Sequence, residues 1–386
     1  MQASRRDVLK MAAAALVAGW ADPASALAVD AGNSRAHKVV LVTCGGIRRE
    51  ESAADPTAHN LPHIAAELAP HAVFYERVYN AGVTSHFNTI ASILTGHWQH
   101  VDDWGKLPPA HPTLFELLRK ERGVAQDQAW YISSNKAMTS MIGASSAADY
   151  GARYGANVIF PKQLLINAVV QAANHGRALQ SSERTSLEPE LRAMLRADNY
   201  DGLGWQLEGS ASTLDPAAEH MIAQAIRALI DTSDPATGDE FTYLVTREVM
   251  RRYAPDLITV SFSDMEAAHF GSYALYQAGI RTVDRLLAEL WKTMQSIPAY
   301  AGKCTLIALP EFGRDADGST TNGFFNHRQD AEGTRLTWML ALGEYVHTPQ
   351  VITSTVEQTM IAPTVARMLT LENAHLPAQY LPGLIL

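Results

Sequence analysis

Cysteine is nearly missing from this chain: Cys44 and Cys304 are the only two among 386 residues. Cys44 closes one apolar run and Cys304 opens another. On neighbouring parallel strands their thiols would lie roughly 20 Å apart at ~3.3 Å rise per residue, too far for a disulfide. Both are therefore read as buried and free. Long apolar runs are lacking too once the N-terminal region is passed, so the body of the chain offers no bilayer span. Positive charge is in deficit, with 31 Lys and Arg against 40 Asp and Glu and a net charge of −9. Nucleic acid and anionic membrane are thereby disfavoured as main partners, whereas a small anionic substrate is compatible. No internal repeat and no low-complexity tract is found. What remains is 47% apolar and 18% charged, the composition of a soluble globular protein with a large core.

The first residues belong to targeting. Ser4-Arg5-Arg6-Asp7-Val8-Leu9-Lys10 has the form of a twin-arginine motif; an alanine-rich apolar stretch follows from Met11, and Ala26-Leu27-Ala28 is a small-residue cleavage pattern. Residues 1–28 are predicted to be a twin-arginine signal peptide, with the translocation machinery as partner during export to the periplasm or beyond. That route carries folded proteins, so a cofactor could be inserted beforehand. A retained signal would act as a membrane anchor instead, because the apolar stretch approaches the length of a short span.

Along residues 29–386 the apolar pattern alternates between strand and helix. His37 to Cys44 is a near-continuous apolar run ending in Gly45-Gly46, as expected of a central strand and the loop at its end. Strands are also predicted over 72–79, 129–134, 257–262, 304–310 and 338–342. Helices are predicted over 60–68, 89–96, 112–122, 273–295 and 357–370. Between 135 and 253 the signal weakens into helical segments such as 217–230 with polar clusters between them, which suits a helical insertion or cap. Strand–helix alternation of this kind predicts one α/β domain, a largely parallel sheet with helices on both faces.

Chemistry concentrates between Leu257 and Arg328. Asp264, Glu266, His269, Glu311 and His327 follow the ends of two predicted strands, and loops after parallel strands gather at one sheet edge. Carboxylates and imidazoles are also the donors a divalent cation such as zinc accepts. His86, at the polar entrance to a predicted helix, could ligate metal, act as acid or base, become a phosphohistidine, or simply hydrogen-bond to Glu311. Arg48, Arg314 and Arg328 could clamp an oxyanion or pair with nearby acids.

In order and spacing these segments resemble the alkaline phosphatase and sulfatase superfamily. The resemblance runs through Cys44-Gly45-Gly46, Ile93-Leu94-Thr95-Gly96, Asp264 to His269, Glu311-Phe312-Gly313, His327 and the closing stretch Ile361 to Leu369. It implies an alkaline-phosphatase-like three-layer sandwich and hydrolysis of phosphate or sulfate esters at a two-metal centre. One family metal is held by a strand-one Asp, an Asp-His pair and the nucleophile; the other by an acid, the neighbouring His and a late His. Here Gly45 stands for the first Asp, His86 for the nucleophile, and Glu311-Phe312 for the Asp-His pair. The second set keeps His269 and His327, with Asp264 or Glu266 as the acid. A single retained metal, zinc by its donor types, is the expected cofactor, with His86 and Glu311 as catalytic candidates and Arg48, Arg314 and Arg328 as substrate-binding candidates. The alternative is a catalytically inactive relative that binds a ligand or partner in the periplasm.

Overall fold

A computed structural model describes residues 37–100, 107–135, 141–162, 237–318, 323–327, 331–372 and 375–385. Residues 1–28, expected to be a signal peptide, residues 217–230 and Arg328 lie outside the described residues. Strand β1, Lys38–Cys44, is buried along its whole length because a strand covers each flank and a helical layer each face. Parallel partners lie on both sides: β5, Leu257–Phe262, and β6, Cys304–Pro310. Beyond β5 come β3, Ala129–Ser133, and then β4, Asn157–Ile159, all parallel.

On the other side β7, Leu336–Gly343, runs antiparallel to β6 and to β2, Ala72–Tyr79. Two short strands, β8 (Gln350–Ile352) and β9 (Val356–Glu357), pair with β2 in parallel. The sheet is thus mixed but mostly parallel, and β7 alone among the described strands runs the other way.

Alternation along the strands divides the core. Val40 and Val42 point into one apolar layer with helices α3 (Gly238–Tyr253) and α4 (Tyr273–Ser296). Val39 and Leu41 point into the other, with α1 (His86–Thr95), α2 (Leu114–Arg122) and α5 (Ile361–Met368). Three layers result, as period-two side-chain geometry requires. Of the 135–253 stretch, β4 joins the sheet edge and α3 packs on the sheet; residues 163–236 lie outside the described residues.

Several boundaries differ from the sequence expectation. Helix α1 begins at His86 rather than Thr89, because Ser85 is extended while its carbonyl already accepts from Thr89 N at 2.9 Å. Of the 60–68 segment, residues 62–68 are helical, with Ile64–Leu68 a π-helical turn, and the tail is split into a 3₁₀ turn, Gln358–Met360, followed by α5.

Register decides where the chemistry collects. Cys44 aligns with Phe262 on one side and Pro310 on the other, so β1, β5 and β6 end level. Gly45-Gly46, Ser263 to His269 and Glu311 to Arg314 leave the sheet from that one edge. Two antiparallel steps make β2 run the same way as β6, so α1 also starts there. Strand β7 begins at this edge, and the segment leading into it brings His327.

Candidate metal centre

The turn after β5 presents Glu266, and Gly45 makes room for it. A Cβ on residue 45 would lie 2.1 Å from Glu266 Oε1; with none there, the carboxylate occupies the space at the end of β1. Its Oε1 accepts from Gly46 N at 2.6 Å, and its Oε2 accepts from the Arg314 guanidinium at 2.5 Å. Asp239, at the start of α3, braces the same turn by accepting from Ser263 N at 2.8 Å and Asp264 N at 3.0 Å.

Around Glu266 Oε2 stand three imidazoles. His269 Nε2 is 3.0 Å from it and His86 Nε2 is 3.4 Å. His327 Nε2 faces His269 Nε2 at 3.0 Å. One donor atom from each of His86, Glu266, His269 and His327 lies within 4.8 Å of all the others. A tetrahedral ion with bonds of ~2.0–2.1 Å would separate its ligand atoms by roughly 3.3–3.4 Å, so small shifts would admit one.

Tautomers fit as well. Nδ1 of His327 is 2.7 Å from the Thr84 carbonyl, which can only accept, so that nitrogen carries the proton and Nε2 presents its lone pair to the cluster. Nδ1 of His86 is 2.6 Å from Glu311 Oε2, the carboxylate–histidine arrangement that orients metal-ligating imidazoles. Glu311 is itself anchored by its own N–H to the Cys44 carbonyl at 2.7 Å, and its carbonyl accepts from Gln358 at 2.7 Å.

Charges are arranged around these contacts. Burial alone would push the His86 imidazole down, but Glu266 and Glu311 outweigh it and lift its pKa to about 10. A cation at the N-terminus of α1 is unfavourable to the helix dipole, and the two carboxylates offset that. Burial works against ionised Glu266, yet Arg314 and His86 hold it well below the usual carboxylate range. Glu311 goes the other way, raised by burial against the opposing pull of His86. The protein packed around His327, with His86 and Arg314 nearby, keeps its imidazole well below its ordinary value and neutral despite Glu266.

No protein-family model matches the chain, and no curated protein matches it. Solved structures match at low identity. A phosphonate monoester hydrolase from Agrobacterium radiobacter is 13% identical with a TM-score of 0.51, over 90% of this chain and 79% of that one. A multiply substituted variant of the alkaline phosphatase PafA is 10% identical, TM-score 0.51, over 92% of this chain and 100% of that one. A protein in the alkaline phosphatase superfamily from Vibrio parahaemolyticus is 10% identical, TM-score 0.50, over 95% and 76%. The chain has the alkaline phosphatase superfamily fold.

Within this alkaline-phosphatase-like chain the expected acids and histidines separate. Glu266, His269 and His327 come together, and His86 joins them as a fourth donor. Asp264 is not among them: two residues beyond β5, it is drawn to the start of α3, where its Oδ2 accepts from Asp239 N at 3.0 Å. Glu311 stands behind His86 rather than among the four.

The arginines are committed to internal acceptors. Arg48 donates to Glu51, at 2.8 Å through Nε, and to Asp317 at 2.8 Å. Arg314 donates to Glu266, to the Gly46 carbonyl at 2.6 Å and to the Phe324 carbonyl at 3.2 Å. Of the two expected roles, oxyanion clamp or pairing with nearby acids, the contacts of both are of the second kind. Phe312 fills space between two imidazoles, its ring 4.2 Å from that of His327 and 5.1 Å from that of His86. Sequence reasoning missed Thr84, which holds His327 twice, its carbonyl facing Nδ1 and its hydroxyl donating to the His327 carbonyl at 3.1 Å; the pairing spans more than two hundred residues and leaves no local signal.

Proposed function

We propose that this chain is an exported, metal-dependent hydrolase-like protein acting on phosphate or sulfate esters, with one divalent ion held by His86, Glu266, His269 and His327. The convergence of those four donor atoms within 4.8 Å is the observation that carries the reading. Such an ion, when bound, would supply Lewis-acid polarisation of an ester oxygen. The residues have separable tasks. Thr84 and Glu311 fix the ring orientations of His327 and His86, while Phe312 excludes water from behind both rings. Glu311 accepts from His86 Nδ1 across their 2.6 Å contact and so turns Nε2 toward the other three donors. Twin-arginine export is part of the proposal and rests on Ser4 to Lys10 and Ala26 to Ala28.

The second reading, a periplasmic relative that binds a ligand without turning it over, is favoured by one observation. Arg48 and Arg314 are both spent on internal acceptors, which leaves neither guanidinium to stabilise developing charge on an ester.

Metal analysis of protein purified without chelator should find a stoichiometric divalent cation that is lost when His269→Ala and His327→Ala are combined. Absence of any such cation from the wild type defeats the metallohydrolase reading. A panel of aryl phosphates, phosphodiesters and sulfate esters then separates the two readings: turnover abolished by the double substitution supports the hydrolase, and metal without turnover supports the binding protein.

A further inference from the structure

Arg314 is the one guanidinium in direct contact with the four-donor cluster among the described residues, and it is almost wholly inside the protein, at 1% exposure. Its donors tie three segments together. Nε reaches the Gly46 carbonyl at the end of β1, NH2 reaches Glu266 Oε2 after β5, and NH1 reaches the carbonyl of Phe324, three residues before His327. The ring of Tyr276 lies 5.6 Å from the guanidinium carbon and completes its seat. Glu266 is equally constrained, because Oε1 is taken by Gly46 N and the missing Cβ of Gly45 is what lets it sit there.

We propose that Arg314 sets the ion selectivity of the centre: paired with the only carboxylate in the donor set, it leaves three imidazoles to choose the metal. This rests on the metal-centre reading above. Hard cations such as Mg²⁺ and Ca²⁺ depend on anionic oxygen donors and often take carboxylates bidentately. Here one carboxylate oxygen is shared with a guanidinium and the other with a backbone N–H. Imidazole nitrogens suit Zn²⁺ and its transition-metal neighbours. The cluster is therefore built to take a borderline ion and to reject alkaline-earth ions at similar concentration. Arg314 is a positioning residue that acts through Glu266 and not a ligand.

Calorimetric titration of the chelator-stripped full chain with Zn²⁺, Mg²⁺ and Ca²⁺, in wild type, Arg314→Lys, Arg314→Gln and Arg314→Met, tests this without any activity assay. Wild type should bind Zn²⁺ and give no saturable heat with Mg²⁺ or Ca²⁺. Removing the guanidinium in Arg314→Gln or Arg314→Met should tighten Mg²⁺ or Ca²⁺ relative to Zn²⁺ by about tenfold or more, because Glu266 Oε2 is then released as an anionic oxygen donor, on which hard cations depend more than Zn²⁺ does. Arg314→Lys should keep the wild-type preference. Arg314→Gln retains hydrogen-bonding capacity toward Gly46 and serves if Arg314→Met does not fold. Wild type that binds Mg²⁺ or Ca²⁺ as tightly as Zn²⁺ overturns the proposal whatever the variants do. So does a folded neutral variant whose preference is unchanged. Wild type that binds none of the three overturns the metal-centre reading beneath it.

Discussion

A methyl group at position 45 would meet Glu266 Oε1 at 2.1 Å, so Gly45 works through the atom it lacks. In the sequence it registers as the loss of a ligand, since a family acid is expected there; in the fold it is the recess that admits the acid of another strand. Gly45→Ala should therefore destabilise the chain by about 1–3 kcal/mol through overpacking, read from urea midpoints, and weaken Zn²⁺ binding at the same time. Unchanged stability and unchanged binding would show that Glu266 is not seated against residue 45. The cysteines were more legible. Cys304 pairs with Lys38 at the far end of β1 from Cys44, and both thiols are buried and free. Burial raises both thiol pKa values, that of Cys304 to about 12, so Ellman's reagent should label neither thiol in the native protein and both after unfolding. Rapid labelling of the folded chain would contradict that placement.

Elements were readable where period and length agreed. The predicted limits of β2, β5 and β6 match the structure because β5 and β6 are buried throughout and β2 mixes buried with half-buried residues, as its looser apolar pattern suggests. Strands β8 and β9 were not legible, being two or three residues each and formed only by pairing with β2. The start of α1 differs from the expected Thr89 although Ser85, a residue type favoured at N-caps, stands directly before His86; in the structure its side chain makes no cap bond. A different capping device appears at Ile64–Leu68, where Asp284 of α4 accepts from His63 N at 2.9 Å and Ile64 N at 2.7 Å. Asp284→Ala should cost about 1–3 kcal/mol by orphaning two backbone donors. Burial raises the Asp284 pKa above its ordinary value. The protonated acid thus favours the folded state, and this contribution is full below the unfolded pKa of about 3.9 and lost as pH rises through the folded value. The stability gap between wild type and Asp284→Ala should narrow as pH rises from below 4. A gap that widens over that interval would reverse the assigned sign.

At the scale of the molecule, the prediction concerns the apo and loaded states. An ion that binds only the folded chain adds about 2.7 kcal/mol of stability at roughly a hundredfold excess over its Kd. The thermal midpoint should rise with Zn²⁺ in wild type, fall again with chelator, and respond to neither in His269→Ala with His327→Ala. A Zn²⁺-induced rise that survives the double substitution would locate the ion elsewhere. The layered fold and its largely parallel sheet followed from the strand–helix rhythm, and the functional edge followed from parallel strands ending level. What the sequence could not settle was which of Asp264 and Glu266 turns inward. That depends on Asp239 at the start of α3, some 25 residues away in sequence, and no local pattern records it.

Because β7 enters the sheet from the edge where β1, β5 and β6 leave it, His327 arrives at the cluster only after most of the chain has been made. Residue 86 must wait for residue 327, and long loop closures of this kind are late events in folding. No partial chain that ends before residue 327 contains the complete donor set. Completion of the donor set therefore coincides with completion of the fold, and under the twin-arginine export proposed above both belong to the compartment before the membrane.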